Sequence, residues 1–290
     1  MRIIGIIQLT LLLPLLLLFS PEVSAQEIFG KAKYNYRSFA EKRLMVVVNQ
    51  ADFTDLSIAD AVKSNWKISL YELCSLDKFQ DIKADTNYFF MIRVDGQLRR
   101  EKEANLEFLT IVKGGASAKK GIGSMDEIVS MPLQPINDES GKAFIFMPAL
   151  ISIMQEHILN VGDDILKAYV GNSFYSNRVD GIGKKELIFD ESDIGFSFNE
   201  EELKDLFVGR ILIGNSRDIA EAMIEAKENC VVSFTVSPLG GSIRGFSYKL
   251  LIDAHSHELL FYRRHKISKK YLPGFTQEDM RRISVPFRIK

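Results

Sequence analysis

The chain has 290 residues and a formal net charge of −1, with 37 Lys and Arg residues against 38 Asp and Glu residues. This balance argues against a dedicated nucleic-acid-binding protein, which would carry a strong basic excess. Two cysteines, Cys74 and Cys230, cannot build a disulfide-rich scaffold. Both are expected to be buried and inert, although one bond between them is conceivable in an oxidising compartment.

Residues 1–25 are typical of a cleavable secretory signal peptide. A short positively charged start precedes an apolar run over 3–19. Val23 and Ala25 lie at positions −3 and −1 of a cut after Ala25, where signal peptidase requires small residues. The alternative is a permanent membrane anchor, but the run is at the lower limit of a bilayer span and a proline interrupts it. We therefore expect cleavage between Ala25 and Gln26 and an exported protein of the cell envelope, either periplasmic or extracellular. No later segment approaches the length of a transmembrane helix, so the product is expected to be soluble.

The remainder of the chain is predicted to contain two similar units, a connector between them and a tail. The units cover residues 26–130 and 184–270, the connector covers 131–183 and the tail covers 271–290. The two units align with a near-constant offset, so that Asp52 of the first falls on Asp193 of the second. This internal repeat predicts that both units fold in the same way.

Each unit is predicted to contain six elements in the order β-α-β-α-β-β. In the first unit these are strand 44–48, a helix with its N-cap at Ser57, strand 68–73, a short helix after Ser75, and strands 87–92 and 106–112. In the second unit they are strand 186–189, a helix capped by Asn199, strand 210–213, a short helix opened by Ser216, and strands 229–234 and 247–252. The order predicts an α+β fold with two tandem, topologically similar units. Two unrelated α/β domains of similar size are the alternative.

The connector is predicted to begin as an irregular stretch at Met131, because prolines and turn-forming residues follow. A helix is expected from Pro148, which suits a first helical position, with apolar side chains at helical spacing up to Val161. His157 lies on this helix and is expected to be partly buried and hydrogen-bonded. The tail is expected to hold a capped helix start at Thr276, followed by a terminal strand or a loosely ordered segment.

His255 and His257 form an H-x-H pair, the most metal-like feature of the chain, since imidazoles two residues apart on a strand share a face. The surrounding pattern instead predicts that both stand exposed in a turn between two strands, and a metal site would need a third ligand such as His265 or Asp253. The hairpin over 250–262 resembles the Asp-x-x-x-Gly-Glu hairpins of small exported domains of the PepSY kind, with a histidine where those have glycine. The chain as a whole looks like uncharacterised exported bacterial α/β proteins, which implies a compartment and no activity.

Charge is unevenly distributed along the second half of the chain. Residues 186–205 carry eight carboxylates and only one lysine, whereas 263–290 carry nine Lys or Arg residues against Glu278 and Asp279. The basic region could contact an anionic surface, such as lipid headgroups or an acidic protein. The alternatives are a solvated surface, or two stretches that face each other.

The sequence contains no catalytic motif, and no cofactor is predicted. We therefore expect an exported, non-enzymatic protein of the cell envelope that acts through contact with a protein partner. One alternative is a small-ligand or cation-binding protein that uses a cleft between the two units. Another is an uncharacterised hydrolase, which would require a nucleophile, a base and an oxyanion pocket in one cleft.

Overall fold

A computed structural model describes residues 39–96, 105–163, 175, 178–241 and 245–288. Those residues form seven α-helices and ten β-strands, and the strands make two five-stranded sheets. The predicted signal peptide and its cleavage site between Ala25 and Gln26 lie outside the described residues.

The first unit consists of five strands and two helices. Its elements are β1 (Arg43–Val47), α1 (Phe53–Asn65), β2 (Tyr71–Cys74), α2 (Leu76–Ile82), β3 (Tyr88–Gly96), β4 (Leu106–Lys113) and β5 (Asp126–Pro135). The strand order is β2-β1-β3-β4-β5, with β1 parallel to β2 and β3, and with β4 and β5 added as antiparallel strands.

The second unit repeats this arrangement. Its elements are β6 (Glu186–Asp190), α4 (Glu200–Leu206), β7 (Ile211–Gly214), α5 (Ser216–Ile224), β8 (Cys230–Val236), β9 (Phe246–Asp253) and β10 (Leu259–Lys266). The strand order is β10-β9-β8-β6-β7, which matches the first sheet strand for strand. The α+β class and the two similar units are therefore confirmed.

Each unit has one strand more than the predicted β-α-β-α-β-β order. In the second unit this strand is β10, which the predicted hairpin had included, but β5 of the first unit was not predicted. Because Pro132 and Pro135 lie in it, the stretch from Met131 had been interpreted as irregular. Both prolines are tolerated because β5 is an edge strand, and Leu133 is a bulge residue between Pro132 and Gln134 in the pairing with β4.

Two of the five predicted N-caps were wrong and three were right. The helix α1 begins after Asp52, whose side chain accepts hydrogen bonds from the amides of Thr54 and Asp55, so Ser57 lies inside the helix. The helix α5 is capped by Asn215 in a capping box, one residue before the predicted Ser216. The caps at Ser75, Asn199 and Thr276 are as predicted.

A long helix, α3 (Lys142–Asp163), connects the two units. It starts six residues before the predicted first position, so Pro148 lies inside it and removes one backbone hydrogen bond. The expectation that no later segment is long enough to span a membrane was wrong, because residues 142–160 are long and apolar enough by length and composition alone. Buried core helices meet the same criterion, and 56% of this stretch is buried.

The helix α3 lies in a core that both units share. It contacts α1, β5 and α5, and its inward side chains are fully buried. The inner helix of the first unit is its first helix, α1, whereas the inner helix of the second unit is its second, α5. The equivalent helices α2 and α4 pack on the outer faces of their sheets. The two similar units therefore meet through non-equivalent faces.

The tail packs against the outer face of the second sheet. The helix α6 (Gln277–Ile283) buries Met280 and Ile283 in the same cluster as β6 and β10. A final helical turn, α7 (Val285–Arg288), stands where a strand or a loosely ordered segment was expected. The ring of Phe287 packs on the ring of Phe207 with 5.4 Å between centroids, which explains why this turn is held in place.

Candidate functional site

A cleft of about 240 Å³ opens at the carboxyl end of the parallel strands of the first sheet. It lies between the loop after β1, the start of α2 and the ends of β3 and β4. Its lining comprises Val47, Val48, Asn49, Asp55, Leu76, Ile92, Arg93, Asp95 and Glu107. Clefts outside the carboxyl ends of parallel strands are common binding positions in α/β sheets, because the connections there diverge to opposite faces.

Arg93 lines this cleft, and each of its three guanidinium nitrogens contacts a different carboxylate. Its Nε lies 2.9 Å from Asp55, its Nη1 lies 3.0 Å from Glu107 and its Nη2 lies 2.6 Å from Asp52. The amide of Gln134 donates a further hydrogen bond of 2.8 Å to Glu107. The guanidinium therefore ties α1, β3, β4 and β5 together at one end of the sheet.

The electrostatics of this network favour the ionised forms of Asp52 and Arg93. Burial opposes ionisation of Asp52, but the backbone amide of Asp55 and the guanidinium of Arg93 donate hydrogen bonds to its carboxylate and lower its pKa. Burial likewise opposes the charge of Arg93, and the carboxylates of Asp55 and Glu107 outweigh it and raise its pKa. The cleft thus has a fixed set of charges in which carboxylates outnumber the cation.

The equivalent end of the second sheet is closed by the connector helix. Asp193 aligns with Asp52, and each aspartate accepts a hydrogen bond from the same position of its central strand, Thr235 in β8 or Arg93 in β3. Since Thr235 carries no charge, Lys142 of α3 supplies the cation, with its Nζ 2.5 Å from Asp193. Asp193 is 1% exposed, so this end of the second sheet is occupied by the protein itself whereas the first is open.

Large apolar side chains are exposed around the open end of the first sheet. Phe53, in the first turn of α1, is 82% exposed, and Leu56 lies one turn further along the same helix. Leu73, near the end of β2, is 50% exposed, and Leu76, at the start of α2, is 56% exposed and also lines the cleft. These four residues, which we call the apolar rim, lie at the same edge of the sheet as Arg93.

The sequence analysis did not identify this site. Its charged residues come from four elements, and nothing in the sequence places them together. One signal was available, because Arg93 interrupts the apolar run of β3 on the face that carries Phe89 and Met91. A charged residue at such an inward position needs a partner, and Asp55 at the start of α1 was a candidate by topology.

The two candidate metal ligands, His255 and His257, are directed to different parts of the protein. Nδ1 of His255 lies 3.1 Å from the carbonyl oxygen of Ala226, and Nδ1 of His257 lies 3.4 Å from Oγ of Ser152 on α3. The proposed third ligand His265 pairs with Ser247 at the far end of the hairpin. Among the residues that the structure describes, no group of three metal-binding side chains occurs.

The turn that carries these histidines is fixed by Asp253. Its carboxylate accepts hydrogen bonds from the amides of His255 and Ser256 and from the ammonium of Lys185. His257 has a positive φ of 61°, a backbone conformation that glycine adopts at lower cost. This is the position at which the PepSY-type hairpins have glycine.

The contact between Ser152 and His257 lacks the geometry of a nucleophile and base. The hydroxyl of Ser152 donates to the carbonyl oxygen of Pro148, four residues earlier in α3. Asp253 interacts with Lys185 and the turn amides, so both of its oxygens are already engaged. The contact therefore joins the hairpin to the connector helix, and catalysis has no geometric support here.

The remaining titratable groups singled out in the sequence are buried within the core. Nδ1 of His157 lies 3.2 Å from the hydroxyl of Tyr175, and burial lowers the pKa of His157 to about 3. Cys74 and Cys230 are free thiols in different core clusters, and burial raises the pKa of each to about 11. Such thiols are poor nucleophiles at neutral pH.

A second cleft, of about 250 Å³, lies on the outer side of the second unit between α4 and α6. It is lined by Phe196, Phe198, Leu203, Leu206, Met280 and Arg281 together with several polar residues. Each of the two clefts lies within a single unit, the cleft at Arg93 in the first and this one in the second. At the interface between the sheets, apolar side chains from α1, α3 and α5 pack together instead.

Comparison of the chain with protein-family models, with curated proteins and with solved structures finds no match. The site therefore has to be interpreted from its own chemistry.

Proposed function

We propose that this is an exported, non-enzymatic protein of the cell envelope, and that it binds a protein partner through the carboxyl end of its first sheet. The observation that carries the proposal is the apolar rim of Phe53, Leu56, Leu73 and Leu76 around the acidic cleft at Arg93. Clustered exposed apolar residues beside polar groups are a feature of protein interfaces.

The rim offers anchors of the kind that dominate binding energy. Phe53 is 82% exposed at the start of α1, and an aromatic ring of this size contributes most when a partner removes it from water. Leu73 and Leu76 are two further exposed apolar side chains, and Leu76 lines the cleft. Asp52 and Asp55 are held rigidly at the helix start, so little order has to be gained on binding.

The charges in the cleft indicate the chemistry of the partner surface. Among the residues that the structure describes, the cleft and its edge carry Asp52, Asp55, Asp95 and Glu107 against one cation, Arg93. Charge complementarity predicts a partner surface with a lysine or arginine flanked by apolar residues. The guanidinium of Arg93 already contacts three carboxylates of its own chain, which favours a rigid binding platform over a group that acts on a substrate.

The proposal can be tested by cross-linking in the intact cell envelope. A photoreactive amino acid is placed at Phe53 or Leu76, and at Ile224 as a control, because Ile224 is 78% exposed at the end of α5 in the second unit. We expect one adduct of the same mass from Phe53 and Leu76 and none from Ile224. The absence of an adduct at the rim positions, or an equal yield at Ile224, would refute the proposed surface.

The export that this proposal requires has a separate test. The protein recovered from the cell envelope is expected to begin at Gln26, which N-terminal sequencing would establish. A protein that keeps its first 25 residues and stays in the cytosol would contradict the proposal as a whole.

A further inference from the structure

The loop that follows β10 concentrates exposed positive charge next to exposed apolar side chains. We call residues 266–272 the basic loop. Lys266, Lys269 and Lys270 are exposed, Tyr271 is 43% exposed and Leu272 is 53% exposed. The two preceding arginines have partners, Arg263 in ion pairs and Arg264 over the ring of Phe246, and the loop combines its lysines with exposed apolar side chains.

The positive charge of the basic loop is not compensated. Within the described ranges, none of its three lysines forms an ion pair with a carboxylate. In contrast, Arg263 is paired with Glu278 at 3.1 Å and with Asp279 at 2.9 Å. The basic loop therefore carries three exposed lysines without a carboxylate partner among the described residues, directly beside Tyr271 and Leu272.

The loop is held in one conformation by its own hydrogen bonds. The amide of Ser268 donates to the carbonyl oxygen of Tyr271 at 2.9 Å, and the hydroxyl of Ser268 accepts from the amide of Tyr271 at 3.1 Å. Nε2 of His265 lies 2.9 Å from the carbonyl oxygen of Leu272. Ile267 is buried and anchors the loop from below. The basic and apolar side chains are thus presented outward together without a further ordering cost.

We propose that the basic loop docks this protein onto an anionic lipid surface. Lysine side chains are attracted to acidic headgroups, an amphipathic tyrosine suits the headgroup level, and a neighbouring leucine can enter the acyl boundary. Lys270 lies over the ring of Tyr271, with its Nζ 5.2 Å from the ring centroid, which keeps charge and ring side by side. An acidic protein would also complement the lysines, but the combination of lysines with a tyrosine and a leucine matches the layered chemistry of a membrane surface, from acidic headgroups to acyl chains.

Vesicle binding of the purified full chain tests this proposal. Phosphatidylcholine vesicles with and without phosphatidylglycerol are compared at low and high salt, and the wild type is expected to bind the anionic vesicles at low salt only. Each lysine contributes about fivefold to partitioning, so the variant K266Q/K269Q/K270Q should bind about 100-fold more weakly. The control K63Q/K67Q/K78Q changes the net charge equally at exposed positions of the first unit and should bind like the wild type.

Three results would overturn the proposal. One is equal binding to neutral and anionic vesicles, and another is an equal loss in both triple variants, which would indicate an effect of net charge alone. The third is that the protein binds immobilised polyglutamate as strongly as it binds anionic vesicles, and that the substitution Leu272→Ser weakens neither interaction. That result would assign the loop to an acidic protein partner. Thermal unfolding of each variant establishes that it is folded. Because the basic loop is separate from the apolar rim, the outcome is independent of the cross-linking experiment.

Discussion

Buried His157 should make the stability of this protein depend on pH in a window where few other groups titrate. Burial lowers its pKa from 6.5 to about 3, so the folded state keeps it neutral while the unfolded state binds a proton below about pH 6.5. The unfolded state therefore binds more protons as the pH falls, and stability is lost through this window. Linkage predicts a loss of about 2 kcal/mol between pH 7.5 and pH 5, rising to about 4 kcal/mol at pH 3.

The assay is urea unfolding at pH 7.5, 6 and 5, followed by the fluorescence of Trp66, the single tryptophan, which is 5% exposed. The variant His157→Gln removes the titrating group, and its free energy of unfolding should fall by about 2 kcal/mol less than that of the wild type over this range. A control variant, His255→Gln, changes an exposed turn histidine and should keep the wild-type dependence. If His157→Gln shows the same pH dependence as the wild type, the inference about burial is wrong.

Three further predictions concern ion pairs and one helix end, and urea unfolding measures all of them. Arg93→Met should lower the free energy of unfolding by about 3 kcal/mol, because three carboxylates lose their shared cation. Loss of the exposed ion pair between Arg43 and Glu72 should cost less than about 1 kcal/mol. Equal losses would contradict the role of Arg93 in holding the elements of the first unit together. Lys249→Met removes the buried ammonium from Asp279, which keeps Arg263 as its remaining cationic partner, so it should cost about 3 kcal/mol and expose α6 to proteolysis. An unchanged proteolysis pattern would count against this. Ala226→Gly should stabilise the protein by roughly 1 kcal/mol, because Ala226 follows α5 with a positive φ of 49°, a conformation that glycine adopts at lower cost. A loss of stability would mean that the packing of the alanine methyl group outweighs this cost.

Much of the fold follows from local sequence patterns. The caps at Ser75, Asn199 and Thr276 and the hairpin over 250–262 were predicted because each depends on neighbours close in sequence. The prediction was less reliable where a local sequence pattern is compatible with two structures, as at a proline that can begin a helix or lie within one. Pro148 suits a first helical position, but the helix α3 extends through it because its apolar face is buried by both units.

The candidate site could not be predicted in the same way. Arg93, Asp55 and Glu107 come from different elements, and only the tertiary structure brings the guanidinium of Arg93 within 3.0 Å of both carboxylates. Asp52 and Asp193 each accept a hydrogen bond from the equivalent position of β3 or β8, but Asp193 is covered by the tail at Phe275 and by Lys142 of the connector helix. The contact between Lys142 and Asp193 spans 51 residues and follows no local pattern.

The sequence by itself determined the α+β class, the two similar units and the order of most elements, because periodicity and capping act over a few residues. It also predicts the export signal, which lies outside the described residues. Only the tertiary structure decided that the two units meet through non-equivalent faces, with α1 and α5 inside. It alone placed the apolar rim around Arg93 and left the basic loop without carboxylate partners in the described part of the chain. The physical reason is that packing and charge pairing depend on which distant surfaces bury each other, and local pattern does not specify those contacts.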